Sequence, residues 1–443
     1  MIVNILIPDN NISERKYIID IFFNEFLGVD YEIKVSEINS YLIEYEDKII
    51  EIKDAFFNNF PKKLSYLKNE NIPEKVIFAE NQFTPEANIP VIYGNVDIDI
   101  SENRIFCGID IFASSFFMLA RWEEYVISEK DKHGRTPDEL QLSIRNNFQE
   151  RPVVNEYLEM LRNMFRFLGI EIENKHHYKP KITHDVDFFA RYDKFTKVIK
   201  ATGGDIFKRK CFKKAIKTFK SYFQIKKGML NDPYDTFDFL MNISEKIGLK
   251  SRFYFIPSVN GEEDAQYDIT DEAVVKTIQH INERGHIVGI HGAYRSYNNE
   301  DLLHKELKRF PEGIKISEGR QHYLRFSNPE TWQMLNDTGI KTDSTIGFIN
   351  NIGFRAGICL EYPVFNILTR KKLVLKELPL IFMEQAARKK YPDKELFFSK
   401  FAVLKNSVKK YEGNFVILWH NNNFNIDEWE DYKEIYEHII RTL

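Results

Sequence analysis

Apolar residues along this chain follow two rhythms, and the change comes near residue 178. Before it, "VNILIP", "IPVIYGN" and "RIFCGIDIFASSFFMLARWEEYV" are apolar runs of uneven length, while "VNEYLEMLRNMFRFLGI" repeats its apolar residues at the spacing of an amphipathic helix. That pattern predicts a mixed α/β unit over residues 1–175. The stretch "DKHGRTPDEL" inside it is polar and turn-like, and His133 is expected to be an ordinary loop histidine.

Beyond residue 178, short β-rich runs alternate with helical patterns. Strands are predicted at 181–186, 250–257, 286–291, 316–324, 341–346, 374–382 and 414–420. Between several of them lie "DPYDTFDFLMNISEKIG", "TDEAVVKTIQHINERG" and "NPETWQMLNDTG", which open on Asp, Thr or Asn and close on Gly, as helix caps prefer. Strand–helix alternation implies parallel strands joined by crossover helices. One segment breaks the rhythm. From Lys194 to Lys227 there are twelve Lys or Arg against the single acid Asp205, and Phe207, Phe212, Ala215, Ile216, Phe219 and Phe223 recur at roughly helical spacing. This insertion, about 194–230, reads as a basic amphipathic helix or a hairpin of two. Such a helix lies on an anionic membrane surface or is a solvated helix packed on its own domain.

Composition changes the picture in two places. A chain of 443 residues exceeds what one hydrophobic core organises, so two domains are expected, 1–175 and 176–443. A formal charge of −4 argues against nucleic acid as the main partner. Cys107, Cys211 and Cys359 fit no disulfide framework and no thiolate zinc pattern. The opening "MIVNILIPDNN" has no basic n-region and reads as a first strand rather than a signal peptide, and no stretch approaches the roughly 20 apolar residues of a membrane span. The expected compartment is the cytoplasm, with peripheral membrane contact if the basic insertion supplies it.

If the strands are parallel, chemistry should gather at their C-terminal ends. In "PKITHDVDFF" the alternation of a strand puts Asp185 and Asp187 on one face and His184 and Val186 on the other. In "GHIVGIHGAY" the same parity separates His291, nearer the strand end, from His286; in "GRQHYLRF" it pairs Arg320 with His322; "NFVILWHNNN" ends in His420. A carboxylate with imidazoles suits a borderline divalent ion such as Zn²⁺. A second carboxylate outside the metal shell, paired with an arginine, suits a general base, and a histidine across the site a general acid. Together these describe metal-assisted hydrolysis.

These residues resemble the polysaccharide deacetylase superfamily, the carbohydrate esterase family 4 or NodB-type catalytic domain. The resemblance covers residues 178–443 and is closest to a branch, frequent in capsule and exopolysaccharide loci, that carries an extra N-terminal domain. It implies a distorted (β/α)7 barrel preceded by a smaller mixed α/β domain. "THDVD" is similar to the first motif, which makes Asp185 the base and Asp187 a metal ligand; "GHIVGIHGAY" is similar to the second, which makes His291 a ligand. "RQHY" resembles the third, with Arg320 steadying the base and the backbone N–H at Tyr323 holding the oxyanion, and "VILWHN" the last, with His420 protonating the leaving group. "KTDSTIGFINNIGFRAG" stands where a motif lines the sugar groove, with Asp343 and Arg355 as its polar contacts, unless the segment is a surface loop.

The second motif normally supplies another histidine four residues on, and here Arg295 stands in its place, unable to donate a lone pair. Either His322 replaces the missing ligand, or the ion is weakly held, or it is absent. The function implied is removal of an acetyl group, N-acetyl before O-acetyl, from a sugar of a surface polysaccharide or its precursor. Two alternatives stay open: a lapsed catalyst that binds glycan, and a metal-dependent amidohydrolase acting on a small non-sugar C–N substrate.

Overall fold

A computed structural model of the chain describes residues 1–192, 195–207, 211–258, 261, 263–424 and 432–443. Of the basic insertion, Lys194, Lys208, Arg209 and Lys210 lie outside the described residues. By internal contacts the chain forms two compact units, one of residues 1–181, 295–303 and 317–417, the other of 182–294, 304–316 and 418–443.

The N-terminal region builds a six-stranded mixed sheet from β1 (Ile2–Pro8), β2 (Asp30–Ser36), β3 (Ser40–Tyr45), β4 (Lys48–Lys53), β7 (Gly94–Ile100) and β8 (Arg104–Ile109), in the order β2-β1-β3-β4-β8-β7. Two short strands, β5 (Ile77–Ala79) and β6 (Ile89–Val91), pair antiparallel by themselves. In β1 the alternation of the sequence decides which face is covered: Val3, Ile5 and Ile7 are fully buried. Helix Ile111–Ala120 has only Ser114 and Ser115 as polar residues, and every one of its residues is buried. Asp110 caps it, accepting from Ala113 N at 2.9 Å and from Ala55 N at 2.8 Å. Helix Val153–Phe167 turns its periodic residues, among them Tyr157, Leu161 and Met164, into the core.

The second sheet has nine strands: β9 (Lys179–Val186), β10 (Arg252–Phe255), β11 (Ile287–Gly292), β12 (Glu318–Gln321), β13 (Thr342–Asp343), β14 (Tyr362–Asn366), β15 (Lys371–Glu377), β16 (Phe382–Met383) and β17 (Asn414–Leu418). Their order is β14-β15-β13-β12-β11-β10-β9-β17-β16. Each of the seven predicted strand windows holds one strand. β14 lies outside those windows, β16 begins on the last residue of the window 374–382, and β14 runs antiparallel to β15. The pairs β9–β10, β10–β11, β12–β13 and β13–β15 are parallel, as strand–helix alternation requires. Helices Phe237–Lys246, Glu272–Glu283 and Glu330–Asp337 occupy the three capped segments. β11, "IVGIHG", is buried from its second residue to its end, the mark of a strand covered on both faces.

Candidate metal and acid–base site

Strand register brings the first two motifs level. Val186 of β9 pairs with Phe255 of β10, and Phe255 with Ile290 of β11, so Asp187 and His291 each follow their strand's last registered residue. His291 Nε2 lies 3.6 Å from Asp185 Oδ2 and 3.4 Å from Asp187 Oδ1, and His420 Nε2 lies 3.7 Å from Asp187 Oδ2. The Asp185 side chain is 3% exposed and that of Asp187 20%, so the second carboxylate is the one that meets solvent.

Residues around this cluster hold its backbone. His184, on the opposite face of β9, places Nδ1 2.8 Å from the carbonyl of Trp419, while Trp419 N donates to Thr183 O at 3.0 Å. A carbonyl only accepts, so Nδ1 carries the proton and Nε2 accepts from Ser251 Oγ at 3.3 Å. Burial pushes the His184 imidazole down to about 3, so it stays neutral and structural. His420 therefore follows a residue pinned to β9 through both its backbone groups. After β11, Ala293 N donates to buried Glu306 at 3.3 Å and Tyr294 N to buried Asp264 at 2.8 Å. His286 accepts from Ser251 N at 2.9 Å and sits 3.1 Å from Glu245, a placement apart from His291 that strand parity anticipates. Arg295 is exposed.

β12 ends in a turn with two non-glycine residues in the left-handed region, Tyr323 at φ 61° and Leu324 at φ 54°. Such backbone is costly and needs outside support. Support comes from the loop whose histidine looked ordinary. Asp131 grips Arg135 through Nε and Nη2 at 2.9 and 2.7 Å, and Arg135 Nη1 donates to Tyr323 O at 2.7 Å. Arg325 Nε donates to His133 O at 2.7 Å, and the His133 ring lies 4.6 Å from that of Tyr323. Nothing in "DKHGR" points to Tyr323; the one legible signal is the Asp131–Arg135 spacing, which lets the loop close on itself. Arg320 is fully buried, donating to Ser344 O at 2.8 Å and Ser344 Oγ at 2.9 Å.

Asp343 and Arg355, expected at a sugar groove or in a surface loop, are core residues, 0% and 1% exposed. Arg355 forks onto Glu124, with Nη2 to Oε2 at 2.5 Å, and donates to Gly347 O at 2.6 Å. Burial would raise the Glu124 carboxyl, but Arg355 and Arg121 overcome it and hold the group at about 2. Asp138 accepts from Ile349 N and Asn350 N, so the same segment is stitched to the N-terminal region twice. Burial raises Asp343 to about 6 despite a bond from Thr345 Oγ1, and pushes Glu377 further up.

Among the described residues, Asp187, His291 and His322 each offer one ligand atom, all within 4.8 Å of one another. Two donors each about 2.1 Å from a tetrahedral ion stand roughly 3.4 Å apart, which the Asp187–His291 separation matches. One carboxylate and two imidazoles are a fitting donor set for a divalent cation with positions left open.

Residues 3–169 match a family of unknown function, DUF7033. No curated protein matches the chain. A crystal structure provisionally assigned as a polysaccharide deacetylase from Mycobacterium smegmatis overlaps 61% of this chain and 86% of its own at 16% identity, with a TM-score of 0.36.

Proposed function

We propose that residues 176–443 are a metal-dependent deacetylase domain of the polysaccharide deacetylase type, with residues 1–175 as its accessory domain. Its substrate would be an acetylated sugar, N-acetyl before O-acetyl, in a surface polysaccharide or its precursor. The observation that carries this reading is the convergence of Asp185, Asp187, His291 and His420, separated by 3.4–3.7 Å at the ends of strands. Three thiols in no disulfide, two of them buried, favour a reducing compartment, the cytoplasm.

Asp187, His291 and His322 would hold the ion, which when bound supplies Lewis-acid polarisation of a carbonyl and acidification of water, as Zn²⁺ does. Asp185 takes the proton of the attacking water, oriented by Arg320. As the water oxygen adds to the acetyl carbon, the backbone N–H at Tyr323 donates to the carbonyl oxygen that gains charge. His420 gives a proton to the sugar nitrogen as the C–N bond breaks, leaving acetate and a free amine. Asp343 and Arg355 are left out of this scheme, Asp343 being engaged by Thr345 Oγ1 and Arg355 by Glu124 and Gly347 O.

Acetate release from a panel of acetylated glycans and lipid-linked precursors tests the reading, with Asp185→Asn as the blank. Arg295, exposed where a ligand is usual, favours the glycan-binding alternative. Glycan binding without acetate release, from protein containing no divalent ion, would replace the enzyme with that binder.

A further inference from the structure

The basic insertion folds as two helices, Phe195–Phe207 and Phe212–Lys226, and the second is turned the wrong way round for a helix packed on its own domain. A surface helix puts its apolar stripe against the core. Here Ala215 and Thr218 are the buried positions, while Phe212, Ile216, Phe219 and Phe223 are 68%, 57%, 42% and 44% exposed. Their spacing of four, three and four residues makes one continuous stripe. Met229 and Leu230, 66% and 48% exposed, follow it directly. Lys213, Lys217, Lys220 and Lys227 are exposed on the same helix and its end.

Phe219 and Phe223 meet the Phe195 ring of the first helix at 6.2 and 6.5 Å yet remain 42% and 44% exposed; an apolar patch left this open marks a contact surface, and charge selects the occupant. A second copy would bring together two segments each carrying twelve basic residues against one acid, and like charges brought into register repel. A nucleic-acid duplex would satisfy the lysines and leave the apolar stripe in water, and a single strand could stack bases on the phenylalanines but would leave Ile216, Met229 and Leu230 uncovered. A bilayer containing anionic phospholipid satisfies both: lysines meet headgroups while phenylalanines enter the acyl boundary. We infer that helix Phe212–Lys226, with Met229 and Leu230 after it, docks the protein on an anionic membrane surface. This inference does not rest on the deacetylase reading, since binding is measured without turnover.

The full-length protein is floated with phosphatidylglycerol-containing vesicles and with pure phosphatidylcholine vesicles. It should bind the first and not the second, and detach as salt rises from about 0.1 M to about 1 M, where the Debye length shrinks from about 10 Å to about 3 Å. Each lysine near an anionic surface contributes roughly a five-fold factor, so Lys213→Glu/Lys217→Glu/Lys220→Glu should weaken binding more than about a hundred-fold. Ile216→Ser/Phe219→Ser should weaken it at unchanged net charge; should that variant fail to fold by circular dichroism, the lysine triple decides. Equal binding to both vesicles, binding to neither, or a dimer in sedimentation that the serine variant abolishes would each overturn the inference.

Discussion

Asp185 and Asp187 stand two residues apart, yet the second is much the more open to solvent, a difference that fits the roles proposed for them. A carboxylate sealed beside His291 suits a base that must hold one orientation, while the more open one suits a ligand that shares its ion with substrate. Asp185→Asn should keep its metal, read by elemental analysis, and lose roughly 10²- to 10⁴-fold in turnover; Asp187→Ala and His291→Ala should lose both. His322 stands on a different footing, because Arg295 occupies the place of a usual ligand. His322→Ala should bind metal orders of magnitude more weakly and regain part of its turnover in excess metal; raised KM at full metal content would instead make it a sugar contact. Strand parity and the motif resemblance singled out these residues, parity separating His291 from His286 and pairing the two aspartates. Asp343 and Arg355, expected at a groove or in a surface loop, are buried instead. A polar residue after a strand looks the same whether it lines a groove or pairs in the core, and the partner that decides, Glu124, is 231 residues away.

At the scale of elements, β13 and β15 carry a buried carboxyl pair with a consequence for pH. An acid whose pKa is higher folded than unfolded binds a proton on folding. Asp343, raised from 3.8 to about 6, therefore stabilises fully below about 3.8 and loses that contribution as pH rises through 6. Burial and the neighbouring Asp343 raise Glu377 as well, which adds a loss of the same sign. Melting temperature should fall between about pH 4 and pH 7, and Asp343→Asn should flatten that slope; an unchanged slope would move the proton elsewhere. The loop 131–135 makes a second case. Arg135 holds the carbonyl of a left-handed Tyr323, so Arg135→Ala should cost up to about 10²-fold in kcat with metal content and KM unchanged, and Arg135→Lys should restore part of it. Element types were largely readable because helices and strands differ in period, and all seven expected strands are present. β14 and the Asp131 latch escaped because "YPVFN" is buried throughout with no apolar–polar alternation, and a self-closing loop has no period to read.

For the whole molecule, the N-terminal region is structurally committed to residues 317–417. Glu124 receives Arg355, Asp138 receives the amides of Ile349 and Asn350, and Tyr17 donates to Pro363 O at 2.8 Å. A chain begun at residue 176 would leave Arg355 as a buried cation without its carboxylate. Removing one partner of a buried ion pair costs about 3–5 kcal/mol, a large share of a domain's stability. Residues 176–443 alone should therefore give little soluble protein and no cooperative melt, whereas Glu124→Gln in the full chain should fold with a lowered melting temperature. The same bonds bear on synthesis. A ribosome adding about 5–20 residues per second delivers Arg355 roughly 10–50 s after Glu124, so the nascent N-terminal region spends that interval with an unfinished charged core. Its folding is completed from downstream, which makes the early chain a natural client for chaperones until the later strands emerge.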